Sequence, residues 1–138
     1  MSDVENSVNE TIDLFFDGYA RGDIAACLSA FAVQQPVMVV GTNIDEICQN
    51  REQLELALKR DFACMSAVHW GTPSHRQVVA SPAMASVFIE RPLSYTADGQ
   101  DQQVLFRYAF TLLPESGQWK ICSAMAAVPA AAGNYKFE

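Results

Sequence analysis

Asp45 and Glu46 form an adjacent pair of carboxylates, a place in this sequence where acid–base chemistry is conceivable. Two carboxylates can share the roles of acid and base when their surroundings move their pKa values apart. The pair also comes ahead of a predicted helix, where acidic residues commonly sit in solvent and favour the positive end of the helix. The sequence leaves open whether Asp45 is a catalytic base or a solvated loop residue.

His69 and Glu90 are the other two candidate bases. His69 precedes Trp70 in a predicted strand, and neighbouring side chains of a regular strand point to opposite faces, so one of the two should face a pocket. A histidine changes its charge close to neutral pH and therefore suits proton transfer. The alternative for His69 is a surface or hydrogen-bonded structural role. Glu90 follows the apolar run at residues 87–89.

Arg107 is a candidate anchor for an acidic group on a ligand, because a guanidinium binds carboxylates through paired hydrogen bonds. Alternation along its strand places Arg107 on one face with Leu105 and Ala109, and Tyr108 on the other face. The alternative is an ion pair between Arg107 and Glu90 on a neighbouring strand.

The cysteines and histidines do not have the spacing of a metal site. Cys27, Cys48, Cys64 and Cys122 form no Cys-x-x-Cys pair, and Cys64 with the nearby His69 lacks a second pair of ligands. Free thiols in a reducing cytoplasm are expected. The chain also lacks the glycine-rich, nucleophile-elbow and His-Glu-x-x-His motifs of nucleotide, serine-hydrolase and zinc-protease sites. We therefore expect no metal and no cofactor.

Three helices are predicted in the N-terminal half of the chain, and they must position these groups. The first has an apolar stripe at steps of three and four residues, made by Val4, Val8, Ile12, Phe15 and Tyr19. Ser2 or Asp3 can cap its start, and Gly22 fits the left-handed position just past its end. Asp23 caps a second helix over residues 24–31. Asn50 caps a third helix after the short strand 36–40.

Only strands are predicted after residue 66, where the apolar period changes. They cover residues 67–80 with a break at Gly71-Thr72-Pro73, then residues 83–95, 102–113 and 118–128. Asp98-Gly99 is typical of a hairpin turn, and residues 114–117 form a second turn. Strands joined by such turns make an antiparallel meander. The sequence predicts one α+β domain over residues 1–138, with three N-terminal helices packed in the concave face of a strongly curved, mostly antiparallel sheet.

In their order and spacing, these segments resemble the nuclear transport factor 2-like superfamily, which includes the SnoaL-like and ketosteroid-isomerase-like proteins. The segments that carry the resemblance are Ala20-Arg-Gly-Asp23, Leu28-Ser-Ala-Phe31, residues 40–46, Asn50-Arg-Glu-Gln-Leu54, Phe106-Arg-Tyr-Ala-Phe110 and Ser116-Gly-Gln-Trp-Lys-Ile121. The resemblance covers nearly the whole chain and implies a cystatin-like cone with a pocket between helices and sheet, and homodimers. It implies little about activity, because the fold hosts isomerases, dehydratases, cyclases and binding domains.

The resemblance also locates the isomerase residues of this superfamily, and this chain lacks them. Counted from Gly22-Asp23, the oxyanion tyrosine falls at Phe15 and the carboxylate base at Val39. Counted back from Gly117, the second oxyanion acid falls near Ala109. That chemistry needs a carboxylate to move a proton and donors to stabilise the enolate, which apolar side chains cannot supply. The histidine that many SnoaL-like relatives carry on the last strand is absent from residues 120–128.

The leading expectation is a small-molecule-binding domain that has a hydrophobic pocket but no complete catalytic set. The expected pocket residues are Phe15, Tyr19, Val39, Trp70, Met84, Arg107, Trp119 and Met125. One alternative is a lyase or isomerase acting on a small hydrophobic carbonyl compound, with Asp45, His69 or Glu90 as base. Tyr19 or Arg107 would then be the electrophilic partner. The other alternative is a dimerising structural or interaction domain whose pocket is filled core.

Charge and composition limit the partners. The 138 residues carry a net charge of −7, which disfavours nucleic acid and anionic membrane surfaces. No apolar run approaches the ~20 residues that cross a bilayer, and the acidic start is unlike an export signal, so we expect a cytoplasmic protein. The last two strands carry more apolar residues than the single sheet face that covers the helices can bury. Because the surplus would otherwise be exposed, it favours a homodimer.

Overall fold

The computed structural model describes residues 2–131 as three helices packed against one curved, open sheet. The elements are α1 (Asp3–Arg21), α2 (Ile24–Ser29), β1 (Met38–Val40), β2 (Ile47–Cys48), α3 (Arg51–Cys64), β3 (Ser66–Trp70), β4 (His75–Ala80), β5 (Ala85–Ala97), β6 (Gln100–Glu115) and β7 (Gln118–Ala127). The predicted α+β class is confirmed. Residues 1 and 132–138 of the predicted domain lie outside the described residues.

Capping residues set the ends of the helices where the sequence predicts them. The Ser2 side chain accepts a backbone N–H at the start of α1, and Asp23 and Asn50 do the same for α2 and α3. Gly22 ends α1 with a φ of 66°, in the left-handed region that glycine adopts without strain. None of the helices in residues 2–131 combines the length and apolar character needed to cross a bilayer.

The strands form one sheet in the order β2-β1-β7-β6-β5-β3, and β4 also pairs with β5. β1 runs parallel to β7, whereas the other pairs are antiparallel. The sequence did not predict β2, because two residues are too few to show alternation. Residues 67–80 are split into β3 and β4, as the predicted break at Gly71 indicates.

A β-bulge at Cys122 interrupts the pairing of β6 with β7. Leu112 pairs with Ile121 and Thr111 pairs with Ser123, so Cys122 has no partner residue on β6. The inserted residue shifts the alternation of side chains by one position along the rest of β7.

The bulge decides which side chains of β7 face the helices. Ile121 and Ala124 are both buried, whereas Met125 is 55% exposed on the opposite face. Strict alternation along residues 118–128 predicts one shared face for Trp119, Ile121, Ser123 and Met125, and this is wrong because strict alternation does not anticipate an extra residue.

An aromatic core joins α1 to the sheet. The Phe16 ring lies 4.8 Å from Trp70, 5.4 Å from Tyr108 and 5.9 Å from Phe110 between centroids, in each case edge-on. Edge-to-face contacts set the positive edge of one ring against the negative face of another. The Arg91 guanidinium lies 4.9 Å from the centroid of Phe16. This cluster fixes the inner surfaces of α1 and β6, which form part of the candidate site.

The carboxylate of Glu115 holds the connection between α2 and β1. It accepts the backbone N–H groups of Val33, Gln34 and Gln35 at 2.9, 3.0 and 2.9 Å. Burial opposes ionisation of Glu115, but the three amides outweigh it and hold the pKa of Glu115 below its usual range. This contact anchors the segment that leads into β1, on which Val39 lies.

Candidate ligand-binding site

A cavity of about 90 Å³ lies between α1, α3, β1, β2 and the inner face of β6 and β7. Five of its lining side chains are aromatic: Phe15, Tyr19, Phe31, Phe106 and Tyr108. The remaining lining residues are mostly aliphatic or small: Val39, Val40, Gly41, Thr42, Glu46, Cys48, Leu54, Ala57, Leu58, Ala124 and Ala126. The lining contains one carboxylate and, within residues 2–131, no Lys, Arg or His.

Local periodicity brings these side chains to one place. Phe15 and Tyr19 are one helical turn apart on α1, and Phe106 and Tyr108 are two residues apart on β6, so each pair shares a face. On the sheet, Val39 of β1 pairs with Cys48 of β2 and with Ala124 of β7, and all three line the cavity.

Tyr19 and Asp61 form a hydrogen-bonded pair at the cavity wall. The Tyr19 hydroxyl donates to Asp61 Oδ2 at 2.8 Å. Burial raises the pKa of Tyr19 well above its usual range, and the Asp61 carboxylate raises it further. Burial also raises the pKa of Asp61, against the opposing effect of the hydrogen bond from Tyr19. The shared proton therefore stays on the phenol, and the Tyr19 oxygen keeps a lone pair that can accept.

Glu46 is the carboxylate that lines the cavity. Its Oε1 accepts the Asn43 backbone N–H at 3.1 Å and the Asn43 side-chain amide, and Arg60 Nη2 lies 3.8 Å away. Its Oε2 makes no hydrogen bond with residues 2–131, although the side chain is only 13% exposed. Gly41 permits this placement, because a Cβ at residue 41 would collide with the Glu46 carboxylate. Glu46 thus brings a carboxylate to the cavity wall, and one of its two oxygens makes no hydrogen bond with residues 2–131.

Tyr108 supplies a second phenol with no protein partner. Its hydroxyl makes no hydrogen bond within the described part of the chain, and its ring stacks on Phe110 at 5.4 Å between centroids. Burial raises the pKa of Tyr108, so the group stays neutral. Trp70 lies 6.1 Å from Tyr108 between ring centroids but outside the cavity lining. Its buried indole N–H also has no hydrogen-bond partner among residues 2–131.

The structure brings some of the predicted pocket residues to the cavity and not others. Phe15, Tyr19 and Val39 line it. Met84 and Met125 do not, because they are 52% and 55% exposed, and the bulge in β7 accounts for the position of Met125.

Trp119 lies at a different place on the molecule. It lines a surface groove between α1 and β7, where its backbone carbonyl accepts the Thr11 hydroxyl at 2.9 Å. β7 is long enough that Trp119 at its start and Ala126 at its end are far apart, and only the end reaches the cavity.

Arg107 and Glu90 pair with each other on the outer face of the sheet. Arg107 Nε donates to Glu90 Oε2 at 2.7 Å, and the Ser74 hydroxyl donates to Glu90 Oε1 at 2.6 Å. These hydrogen bonds, with that from Ser74 foremost, lower the pKa of Glu90 to about 2. Glu90 on β5 and Arg107 on β6 are cross-strand partners. Because side chains alternate along β6, Arg107 faces outward while its neighbour Tyr108 faces inward. Neither contributes to the cavity.

The other two candidate bases also lie away from the cavity. The Asp45 side chain is 66% exposed and pairs with Arg60 at 3.2 Å. His69 is exposed on β3, and its neighbour Trp70 takes the inward position. Asp45, His69, Glu90 and Arg107 therefore do not converge on the cavity that contains Tyr19.

The sequence analysis missed Asp61, in addition to the aromatic lining residues Phe31, Phe106 and Tyr108. Asp61 lies three positions after Leu58 and seven after Leu54, on the apolar stripe of α3 that faces the core. A single carboxylate on an apolar stripe was the available signal. Within residues 2–131, no group of three or more His, Cys, Asp or Glu side chains could hold a metal ion.

The fold is a cone-shaped domain in which three helices pack against a curved, open sheet and a cavity lies between them. The model of the SnoaL-like domain matches residues 8–131, and the chain belongs to this family. The comparison with curated protein sequences gave no match.

Solved structures share the fold at low sequence identity. A nuclear transport factor 2-like superfamily protein from Salmonella enterica serovar Typhimurium is 13% identical, with 98% of this chain and 97% of that chain covered and a TM-score of 0.84. A candidate dehydratase from Streptomyces avermitilis is 14% identical, with 93% and 98% covered and a TM-score of 0.83. A ketosteroid isomerase-like protein from Erwinia carotovora is 13% identical, with 94% and 99% covered and a TM-score of 0.79.

Proposed function

We propose that this domain binds a small, largely apolar molecule in the cavity between α1, α3 and the sheet. The observation that carries the proposal is the cavity itself, which is lined by five aromatic rings and by aliphatic side chains, with polar atoms of Glu46, Tyr19 and Tyr108 among them. A mostly apolar pocket with a few placed polar groups is the usual form of a small-molecule site. An engineered protein cavity of about 150 Å³ accommodates benzene, so the present cavity suits a somewhat smaller group.

An isomerase or lyase acting on a carbonyl compound has weaker support. Of its candidate bases, Asp45 and His69 lie at exposed positions, and Glu90 forms an ion pair outside the cavity. Phe15 and Val39 do line the cavity, but neither can move a proton. Binding without catalysis is the function that these positions favour.

A homodimer in the cytoplasm completes the proposal. The outer face of the sheet carries exposed Phe88, Leu105 and Met125 in addition to Ala109, more apolar surface than a solvated face needs. The four cysteines are free thiols, which suits a reducing compartment.

Filling the cavity tests the binding function. Ala57 lines the cavity and Ala63 is exposed, and both lie on α3. We expect Ala57→Leu to weaken binding of small ketones, alcohols and amines at least about tenfold because its side chain occupies the ligand's space. Ala63→Leu should bind like the parent protein. Titrations followed by ¹H–¹⁵N NMR detect weak binding and locate it at the amides of Gly41, Thr42 and Tyr108.

The binding function is overturned if no compound of the panel shifts these amides, or if Ala57→Leu and Ala63→Leu bind alike. A circular dichroism spectrum of both variants establishes that each is folded.

A further inference from the structure

We infer that the preferred ligand of this cavity is a small organic cation, an amine with a short branched apolar group. The inference rests on the proposed binding function and adds the charge of the ligand to it. Three features carry it: the free oxygen of Glu46, the acceptor character of the Tyr19–Asp61 pair, and the aromatic lining.

The hydrogen-bonding capacity of the cavity wall is weighted towards acceptors. Glu46 Oε2 carries no hydrogen bond within residues 2–131, although its side chain is 13% exposed and lines the cavity. The Tyr19 proton is already donated to Asp61, so the Tyr19 oxygen faces a ligand as an acceptor. An ammonium group has three donors and no acceptor, which complements this wall.

The charges around the cavity favour a cation over an anion. Glu46 lies in the wall and Asp61 lies one hydrogen bond behind it. Arg60 pairs with Asp45 at 3.2 Å and with Glu46 Oε1 at 3.8 Å, and its side chain is 46% exposed. Arg60 is absent from the cavity lining. A carboxylate ligand would therefore meet Glu46 and Asp61, with no Lys, Arg or His from residues 2–131 in the cavity lining to bind it.

The aromatic rings supply the second attraction. Phe15, Tyr19, Phe31, Phe106 and Tyr108 surround the cavity. The face of such a ring attracts an ammonium group, and the attraction is stronger where water is excluded. The same rings and the aliphatic side chains of α3 bind the apolar part of the ligand. A cavity of about 90 Å³ accommodates a short branched chain and not a long one.

Three probes of nearly equal shape separate charge from size: isobutylammonium, isobutanol and isobutyrate. Each is titrated at pH 7 into the full chain, and dissociation constants are taken from the ¹H–¹⁵N shifts of the cavity amides. We expect isobutylammonium to bind at least about tenfold more tightly than isobutanol, the size of one charge-assisted hydrogen bond. Isobutyrate should produce no saturable shift in the same range.

The variant Glu46→Gln assigns the difference to the cavity carboxylate. We expect it to weaken isobutylammonium binding about tenfold and to change isobutanol binding less than about twofold. Glu52→Gln removes the same charge from an exposed position on α3 and serves as the control. It should leave the binding of all three probes unchanged.

The two proposals fail in different ways. Isobutanol or isobutyrate binding as tightly as isobutylammonium overturns the cation preference while the binding function stands. Equal weakening of amine and alcohol by Glu46→Gln also overturns it. If none of the three probes shifts the cavity amides, and the wider panel of ketones, alcohols and amines gives the same result, the binding function itself is wrong.

Discussion

Tyr19 illustrates how one hydroxyl can determine the chemistry of a cavity wall. Its position on α1 follows from the helical stripe, but its role follows from Asp61, which is 42 positions away in sequence and accepts its proton. Tyr108 has the same chemical group on the same cavity and no protein partner within residues 2–131. The two phenols therefore differ in what they contribute to folding and in what they offer a ligand.

This contrast predicts different effects of the same substitution. Tyr19→Phe leaves the half-buried Asp61 carboxylate without its donor and should lower the free energy of unfolding by about 1–3 kcal/mol. Tyr108→Phe removes a hydroxyl that makes no hydrogen bond with residues 2–131 and should change the free energy of unfolding by less than about 0.5 kcal/mol. Urea denaturation at pH 7 measures both. Equal losses in the two variants would contradict the assignment of Asp61 as the partner of Tyr19 alone.

At the scale of helices and strands, the predictions that succeeded depend on neighbours in the chain. Ser2, Gly22, Asp23 and Asn50 act within a few residues of themselves, so their capping roles are visible in the sequence. The placement of Arg107 and Tyr108 on opposite faces of β6 was predicted for the same reason, since alternation is a local property, but it does not say which face turns inward, and the expectation that Arg107 lines the pocket differs from the structure.

The predictions that failed concern contacts between helices and strands that are distant in sequence. The bulge at Cys122 lies where β7, already paired with β6, begins to pair with β1, and no local sequence pattern indicates it. Because the bulge was not predicted, Met125 was expected in the pocket, whereas it lies on the outer face of the sheet. The Asp61 pair with Tyr19 similarly requires α3 to lie against α1. Of the aromatic rings that line the cavity, Phe15 and Tyr19 were expected there, whereas Phe31, Phe106 and Tyr108 were not. The arrangement of charges was not predicted.

Glu90 of β5 accepts hydrogen bonds from Ser74, the residue before β4, and from Arg107 of β6, and these contacts predict a pH dependence. Glu90 has a pKa of about 2 in the folded protein against an ordinary value of 4.5. Stability from this group is complete above the ordinary value and is lost as the pH falls from about 4.5 to about 2, because the unfolded chain takes up the proton first. Glu90→Gln should flatten this part of the stability curve.

Urea denaturation between neutral and acidic pH measures the effect of Glu90→Gln. Glu10→Gln, an exposed position on α1, is the control and should keep the parent slope. If Glu90→Gln loses stability on acidification as steeply as the parent, the hydrogen bonds from Ser74 and Arg107 do not hold the low pKa of Glu90.

At the scale of the whole molecule, the outer face of the sheet predicts self-association. Phe88, Ala109 and Met125 lie side by side across β5, β6 and β7, and Phe88 and Met125 are 39% and 55% exposed. A continuous apolar row of this kind on a sheet face is typical of an interface. We expect a particle of twice the 15.2 kDa chain mass by light scattering at micromolar concentration.

Phe88→Glu places a charge in the middle of this row and should give the monomer. Leu56→Glu is the matched control, because Leu56 is 65% exposed on α3 and away from the sheet. It should keep the mass of the parent protein. A parent protein with the mass of a single chain, or dissociation by Leu56→Glu to the same extent, would show that the outer face is not the interface.

The sheet between the cavity and the outer face is a single layer of strands. Tyr108 borders the cavity while its neighbours Arg107 and Ala109 lie on the outer face, so one stretch of backbone belongs to both surfaces. If a ligand and a second subunit bind as proposed, a shift of β6 that accommodates the ligand also changes the surface that contacts the second subunit, and the reverse holds. The two equilibria would then be thermodynamically linked, each altering the constant of the other by the same factor. The apparent affinity for the ligand would then depend on the protein concentration.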